Sequence, residues 1–174
     1  VHRRRRWSVE VRVRADREPS FALQLRVPAW CVGDAHITVN GQPERAHAAP
    51  GAFATIRRRW KDDLVRVELP FALTVSPIPD EPQTVAFMEG PVVLAGLCDA
   101  TPVLRGDLGQ PEALLAPANE REWGTWRIRY QTVGQERATT FVPLYEVVDE
   151  PYSVYFPVRP TATGGGAGSA AARA

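Results

Sequence analysis

The chain has 174 residues, a formal net charge of +1, 44 % hydrophobic residues and 24 % charged residues. That is ordinary globular composition, with room for one large β domain or two small ones. The near-neutral balance excludes a chain built to wrap nucleic acid over its whole surface, and no apolar run reaches the roughly 18 residues a membrane helix needs.

The first residues, "VHRRRRW", show no apolar signal-peptide core. In "WSVEVRVRA", Trp7, Val9, Val11 and Val13 share one face and Ser8, Glu10, Arg12 and Arg14 the other. This period of two predicts a half-buried strand, with Trp7 on the core side. "ADREPS" is a turn cluster. Phe21, Leu23, Leu25 and Val27 then line the inward face of a second strand, which Pro28 ends just before Trp30 and Cys31. "HITVNGQ" predicts a short strand running into a tight turn at Asn40-Gly41.

"GAFATIRRRW" and "DLVRVELP" are further strands, the second with Val65, Val67 and Leu69 inward. "FALTVSPIP" is extended but interrupted by Pro77 and Pro79, which suits an edge strand or a crossover. The apolar run from Pro91 to Leu97 predicts a strand covered on both faces. Residues 99–122 have weak periodicity and read as connection, with a short helical turn in "PEALLAPANERE". "TWRIRYQTV" resumes the alternation, with Trp126, Ile128, Tyr130 and Thr132 on one side. "TTFVPLYEVVDEPYSVYFPV" adds two short strands, and from Thr161 the low-complexity tail reads as disordered or a linker.

The expected architecture is all-β: antiparallel β-sandwich, one larger N-terminal sandwich plus a smaller C-terminal strand set. The expected divisions are a β-sandwich domain over 1–98, a connecting segment over 99–122, strands over 123–160 that complete a second sandwich or the same one, and the tail 161–174.

Catalytic signals are weak. The adjacent acids Asp62-Asp63, Asp80-Glu81 and Asp149-Glu150 are poor candidates for a glycosidase pair, because neighbours in a strand point to opposite faces. Cys31 and Cys98 lie far apart, and His2, His36 and His47 are isolated, so no local metal motif forms. Cys98, beside the apolar strand, reads as a buried thiol. No nucleophile elbow, phosphate loop or dinucleotide fingerprint occurs. The basic run at residues 2–6 reads as a solvated or ion-pairing strand start, or else as an arm for an acidic partner. Trp30 and Trp60, each just past a strand, and Tyr145 are the aromatic residues open to a sugar or to a neighbouring domain.

Several phrases, taken in order, resemble one family. "FALQLRVPAW" is similar to a strand ending in Arg-Ile/Val-Pro-x-Trp, and "ITVNGQ" to the Val-Asn-Gly turn that follows. "GAFATIRRRWKDDLVRVELP" resembles Gly-aromatic-x-x-Ile-x-Arg-x-Trp, a Gly-Asp turn and an alternating strand. "VAFMEGPVVLAG" and "FVPLYEVVDEPYSVYF" resemble the phrases that close the region. Together, over about residues 5–158, they resemble the C-terminal β-sandwich part of the β-L-arabinofuranosidase-type glycoside hydrolases, family 127 and its relatives. Asp62 stands where that family commonly has Gly, and Pro151 where it has Arg.

The resemblance implies a catalytic (α/α)6 barrel, N-terminal to the β domains, that carries a zinc-held cysteine nucleophile and a glutamate acid/base. No segment here matches it. The implied role is a non-catalytic accessory region with no catalytic residue and no cofactor of its own, its partner the barrel of the same polypeptide and, at its rim, a glycan. The competing readings are an independent carbohydrate-binding module, using Trp30, Trp60 or Tyr145, and a nucleic-acid binder acting through Arg3 to Arg6. Neither a membrane nor, on the favoured reading, a nucleic acid is an expected partner. On the same reading Cys31 is incidental.

Overall fold

The computed structural model describes residues 5–118, 120–122 and 125–161. The low-complexity tail beyond Thr161, Trp123 and the residues before Arg5 lie outside the described residues. The chain forms two compact units: one runs to Thr74 and includes Met88–Val92, and the other takes Val75–Phe87 and the remainder.

In the first unit, β1 (Arg5–Arg14) lies antiparallel to β6 (Asp62–Phe71), in a register from Arg5 opposite Phe71 to Arg14 opposite Asp62. β3 (His36–Val39) flanks the other side of β6, and β4 (Gln42–Pro43) follows it through a turn in which Asn40 and Gly41 have φ of 51° and 79°. Two successive positive φ values define the hairpin turn that the Asn-Gly pair favours. β2 (Ser20–Arg26) and β5 (Phe53–Arg59) form a separate two-stranded sheet.

Alternation carries through to burial. On β6, Asp63, Val65, Val67 and Leu69 are buried, while Asp62, Leu64 and Arg66 are exposed. Ile37 and Val39 from one sheet, Ala54 and Ile56 from the other, and Val27 and Trp60 beside them share one core. That is a β-sandwich, as the sequence predicts.

One strand departs from its expected burial. Trp7, Val9, Val11 and Val13 do share a face, opposite Leu69, Val67, Val65 and Asp63. Val11 and Val13 pack against the core, but Trp7 is 43 % and Val9 46 % exposed. β1 is the edge of its sheet, and its first half is the part that the core does not reach. Trp7 is therefore not the core residue its position in the alternation implies.

The second unit is built on a hairpin of β8 (Glu81–Glu89) and β9 (Val92–Leu97). Among the described residues, β7 (Leu73–Ile78) pairs with β8 alone, in keeping with Pro77 within it and Pro79 just past its end. β10 (Leu104–Arg105), α1 (Pro111–Leu114), β11 (Leu115–Pro117) and β12 (Glu120–Glu122) occupy the stretch expected to be connection. β13 (Thr125–Arg127) pairs with β12. β14 (Tyr130–Thr132) pairs with β11 and with β15 (Thr140–Pro143), which in turn pairs with β9. After a short 3-10 turn at Leu144–Glu146 come β16 (Tyr152–Ser153) on β9 and β17 (Tyr155–Arg159) on β8. The pairs are antiparallel except β10 with β17.

Two boundaries thus move. The expected division at residue 98 falls inside the second unit, because β8 and β9 take C-terminal strands as partners. "TWRIRYQTV" is not one strand but β13 and β14, which serve different neighbours. The side chain of Trp126 lies outside the described residues.

Phe87, Phe141 and Phe156 pack edge-on and tilted in this unit, with centroids 4.8 to 6.4 Å apart. Gly96 leaves them room: a Cβ there would sit 2.5 Å from Phe156 Cζ and 3.0 Å from Phe141 Cζ. Gly96→Ala is expected to destabilise by about 1–3 kcal/mol through overpacking, read as a lower urea midpoint. An unchanged midpoint would show that the rings move aside freely.

Candidate interaction site

Val27 donates its amide to Ala52 O (2.9 Å) and Val32 to Pro70 O (3.0 Å), which ties both ends of the Pro28–Cys31 turn into the first unit. Pro28 O accepts from Cys31 N (3.1 Å) and closes the turn. Trp30 is thereby held half-buried against the core. Its ring meets Trp7 edge-on at 5.5 Å, and Trp7 also meets the buried Phe71 at 5.8 Å. Trp7, Trp30 and the neighbouring Val9 form an apolar, partly open surface at the edge of the sandwich. Its members carry one kind of polar handle, the indole N–H, so it suits a packing contact better than acid-base chemistry.

Trp60 differs in kind. It is fully buried. Its ring stacks on Phe21 at 5.6 Å, its Nε1 donates to Phe21 O at 3.0 Å, and its backbone amide donates to Pro19 O at 3.0 Å. The guanidinium of Arg58 lies 5.4 Å from the ring centre. No ring surface remains for a sugar or a second domain, so Trp60 is a core group. Tyr145 belongs to the second unit and is 70 % exposed, with Val148 nearby in sequence at 81 %. The sequence offered Trp30 and missed its neighbour Trp7, because alternation shows which face a residue takes but not whether that face is covered.

The more deeply buried cysteine is Cys31, not the expected Cys98. Cys31 is buried in the core and Cys98 is half-buried, its Sγ donating to Gly96 O at 3.4 Å. Burial pushes the Cys31 thiol up, away from the reactive thiolate. Cys31 is thus a packing residue rather than an incidental one. Cys31→Ala should leave stability nearly unchanged, whereas Cys31→Ser places a hydroxyl in the core and should cost about 1–3 kcal/mol. Equal melting temperatures for the two variants would refute this. Among the described residues, no three His, Cys, Asp or Glu side chains gather where they could hold a metal. Neither cysteine fits the zinc chemistry that the sequence resemblance implies, and no catalytic step is assigned to this chain through zinc.

Of the adjacent acids, Asp62, Asp63 and Glu150 are ill-suited to act as a general acid, each being held below its ordinary range. Asp62 points outward, to Arg12 (2.9 and 3.2 Å) and Arg14 (3.8 Å), and its hydrogen bond with Arg12 draws its carboxyl below the ordinary range. Asp63 points inward. Glu150 is lowered by backbone amides, its own and those of Val148 and Asp149. A general acid at neutral pH needs its pKa raised, not lowered. Within the N-terminal basic run, Arg6 pairs with Glu68 at 2.8 Å. The earlier arginines of that arm, Arg3 and Arg4, lie outside the described residues, and the side chain of Arg5 is likewise not described.

Residues 5–71 match the family model described as "Beta-L-arabinofuranosidase, GH127 middle domain". No curated protein matches the sequence. A solved structure titled "Glycoside hydrolase" is 19 % identical with a TM-score of 0.63, over 87 % of this chain and 30 % of that one. A second, titled as a GH127 β-arabinofuranosidase, is 18 % identical with a TM-score of 0.58, over 88 % of this chain and 30 % of that one. At these identities the likeness is one of fold. The chain spans 30 % of the length of each.

Proposed function

We propose that the chain is a non-catalytic accessory region of a GH127-like glycoside hydrolase, a reading supported by the match of residues 5–71 to the GH127 middle-domain model and by the fold likeness of the chain to the two solved structures. On this reading it packs against an (α/α)6 catalytic barrel of the same protein. The barrel holds the zinc and the catalytic cysteine and glutamate, and the parent releases β-L-arabinofuranose or a related sugar from plant-type glycans. The observation that carries the reading is the open apolar edge of Trp7 and Val9 beside Trp30. Two large side chains on the core-facing side of an edge strand stay 43 % and 46 % exposed, which is surface suited to a further domain.

The test is hydrolysis of an aryl β-L-arabinofuranoside by the 174-residue chain and by the full parent protein. Activity is expected only from the parent. Trp7→Glu in the parent should lower its melting temperature, because a carboxylate then faces the domain contact. Hydrolysis by the chain alone, or a Trp7→Glu parent as stable as the wild type, would count against the proposal.

A further inference from the structure

The two outward faces of the first unit are charged in different ways. On the β1–β6 side each described arginine has an acid opposite or beside it. Arg6 meets Glu68 at 2.8 Å, Arg12 and Arg14 meet Asp62 at 2.9 and 3.8 Å, and Arg66 meets Glu10 and Glu68 at 3.7 and 3.6 Å. On the β2–β5 side the register places Ser20 opposite Arg59, Ala22 opposite Arg57, Gln24 opposite Thr55 and Arg26 opposite Phe53, all with one parity. Their counterparts Leu23, Leu25, Ala54 and Ile56 face the core. The outward strip therefore carries three arginines and no acid.

Arg26, Arg57 and Arg59 are exposed, and among the described residues no acid pairs with them. Glu18, in the turn before β2, is taken by Lys61 at 3.1 Å. Phe53 is 52 % exposed, and the Arg26 guanidinium lies 5.7 Å from its ring centre. Six strand steps separate the Arg26–Phe53 pair from the Ser20–Arg59 pair, so the strip is about 20 Å long. An isolated phosphate would meet one end of it at most. An extended polyanion would meet both.

We propose that this strip binds an acidic polysaccharide, a chain of uronate sugars. Arg57 and Arg59 at one end and Arg26 at the other meet carboxylates set several sugars apart along one chain. Phe53 offers a ring face to a sugar. Gln24 and Thr55, set between Arg57 and Arg26, and Ser20, opposite Arg59, are donors and acceptors for hydroxyl groups. Those neutral polar groups and the open ring favour a glycan over an acidic polypeptide, for which charge alone would suffice. The proposal does not depend on which bond the parent hydrolyses.

The test is affinity electrophoresis of the full 174-residue chain in gels containing polygalacturonate, neutral arabinan, polyglutamate or duplex DNA. Polygalacturonate is expected to retard the chain and arabinan not to, with retardation falling between about 50 and about 300 mM salt. Arg57→Gln/Arg59→Gln should weaken binding about tenfold or more, and Phe53→Ala should weaken it for polygalacturonate. Arg12→Gln/Arg14→Gln, on the other sheet, should leave it unchanged, and thermal melts confirm that each variant is folded. No retardation by polygalacturonate overturns the proposal. So does equal retardation by polyglutamate or DNA with no effect of Phe53→Ala, or an equal loss from the Arg12/Arg14 variant; the first of these points instead to an acidic protein or nucleic acid.

Discussion

Trp60→Ala is expected to lower the stability of the chain by about 3–5 kcal/mol, the range for emptying a buried tryptophan site. The site cannot refill easily. Trp60 is fully buried, Phe21 stacks against it, and its indole N–H is the donor that Phe21 O receives. Removing the ring forfeits apolar burial, leaves a cavity and strands that carbonyl. Trp30→Ala, which empties only a half-buried position, should cost clearly less. Urea denaturation of both variants separates the cases. A Trp60 variant no worse than the Trp30 variant would mean that the core closes over the gap.

The next largest effect is expected at Asp63. Its buried carboxylate accepts from Lys61 N at 2.9 Å and from Asn40 Nδ2 at 2.8 Å, and Arg58 lies 3.3 Å away. Asn40 in turn accepts from Leu64 N at 2.8 Å. One acid thus holds the Asn40-Gly41 turn and the start of β6 together. Asp63→Ala leaves the Lys61 amide and the Asn40 amide without their acceptor, a loss of about 2–3 kcal/mol.

The same group sets an acid limit. The Lys61 amide first, then Asn40 and Arg58, hold the Asp63 carboxyl below its ordinary value, although burial pushes the other way. A group depressed in the folded state binds its proton more readily when the chain is unfolded. Its stabilisation is therefore complete above the unfolded value of about 3.9 and fades as pH falls toward the lower folded value. Asp62 and Glu68, both lowered mainly by hydrogen bonds from arginines, add to the same slope. Wild-type stability should drop below about pH 4, and Asp63→Asn should flatten part of that drop. A variant with the full wild-type slope would exclude Asp63 as a contributor.

Much of the first unit was legible because period-two alternation is a local signal. β1, β2, β3, β5 and β6 lie where Trp7–Arg14, Phe21–Val27, His36–Val39, Phe53–Trp60 and Leu64–Leu69 predict them, and Asn40-Gly41 makes its turn. What stayed hidden depended on partners distant in sequence. Trp60 lies just past a strand end, as Trp30 does, yet only Trp60 meets Phe21 across the sheet and is closed over. Trp7 obeys the alternation but stands on an edge. The Leu104–Arg105 and Leu115–Pro117 strands are too short to carry a pattern. Cross-strand register also composed the Arg26–Phe53–Arg57–Arg59 strip, from residues that the linear order keeps up to 33 positions apart.

The return of Met88–Val92 to the first unit bears on inheritance. Gly90 donates its amide to Ala72 O at 3.2 Å, and a Cβ at Gly90 would lie 3.2 Å from Cβ of Phe71. A crossover between genes just after Phe71 would therefore transmit a first unit that lacks the turn seated on its last strand. No single splice point separates the two units intact, since a cut after Val92 keeps the first but divides the second. The two travel as one heritable cassette, and homologous exchange that keeps both must carry the sequence from β1 through β17 together.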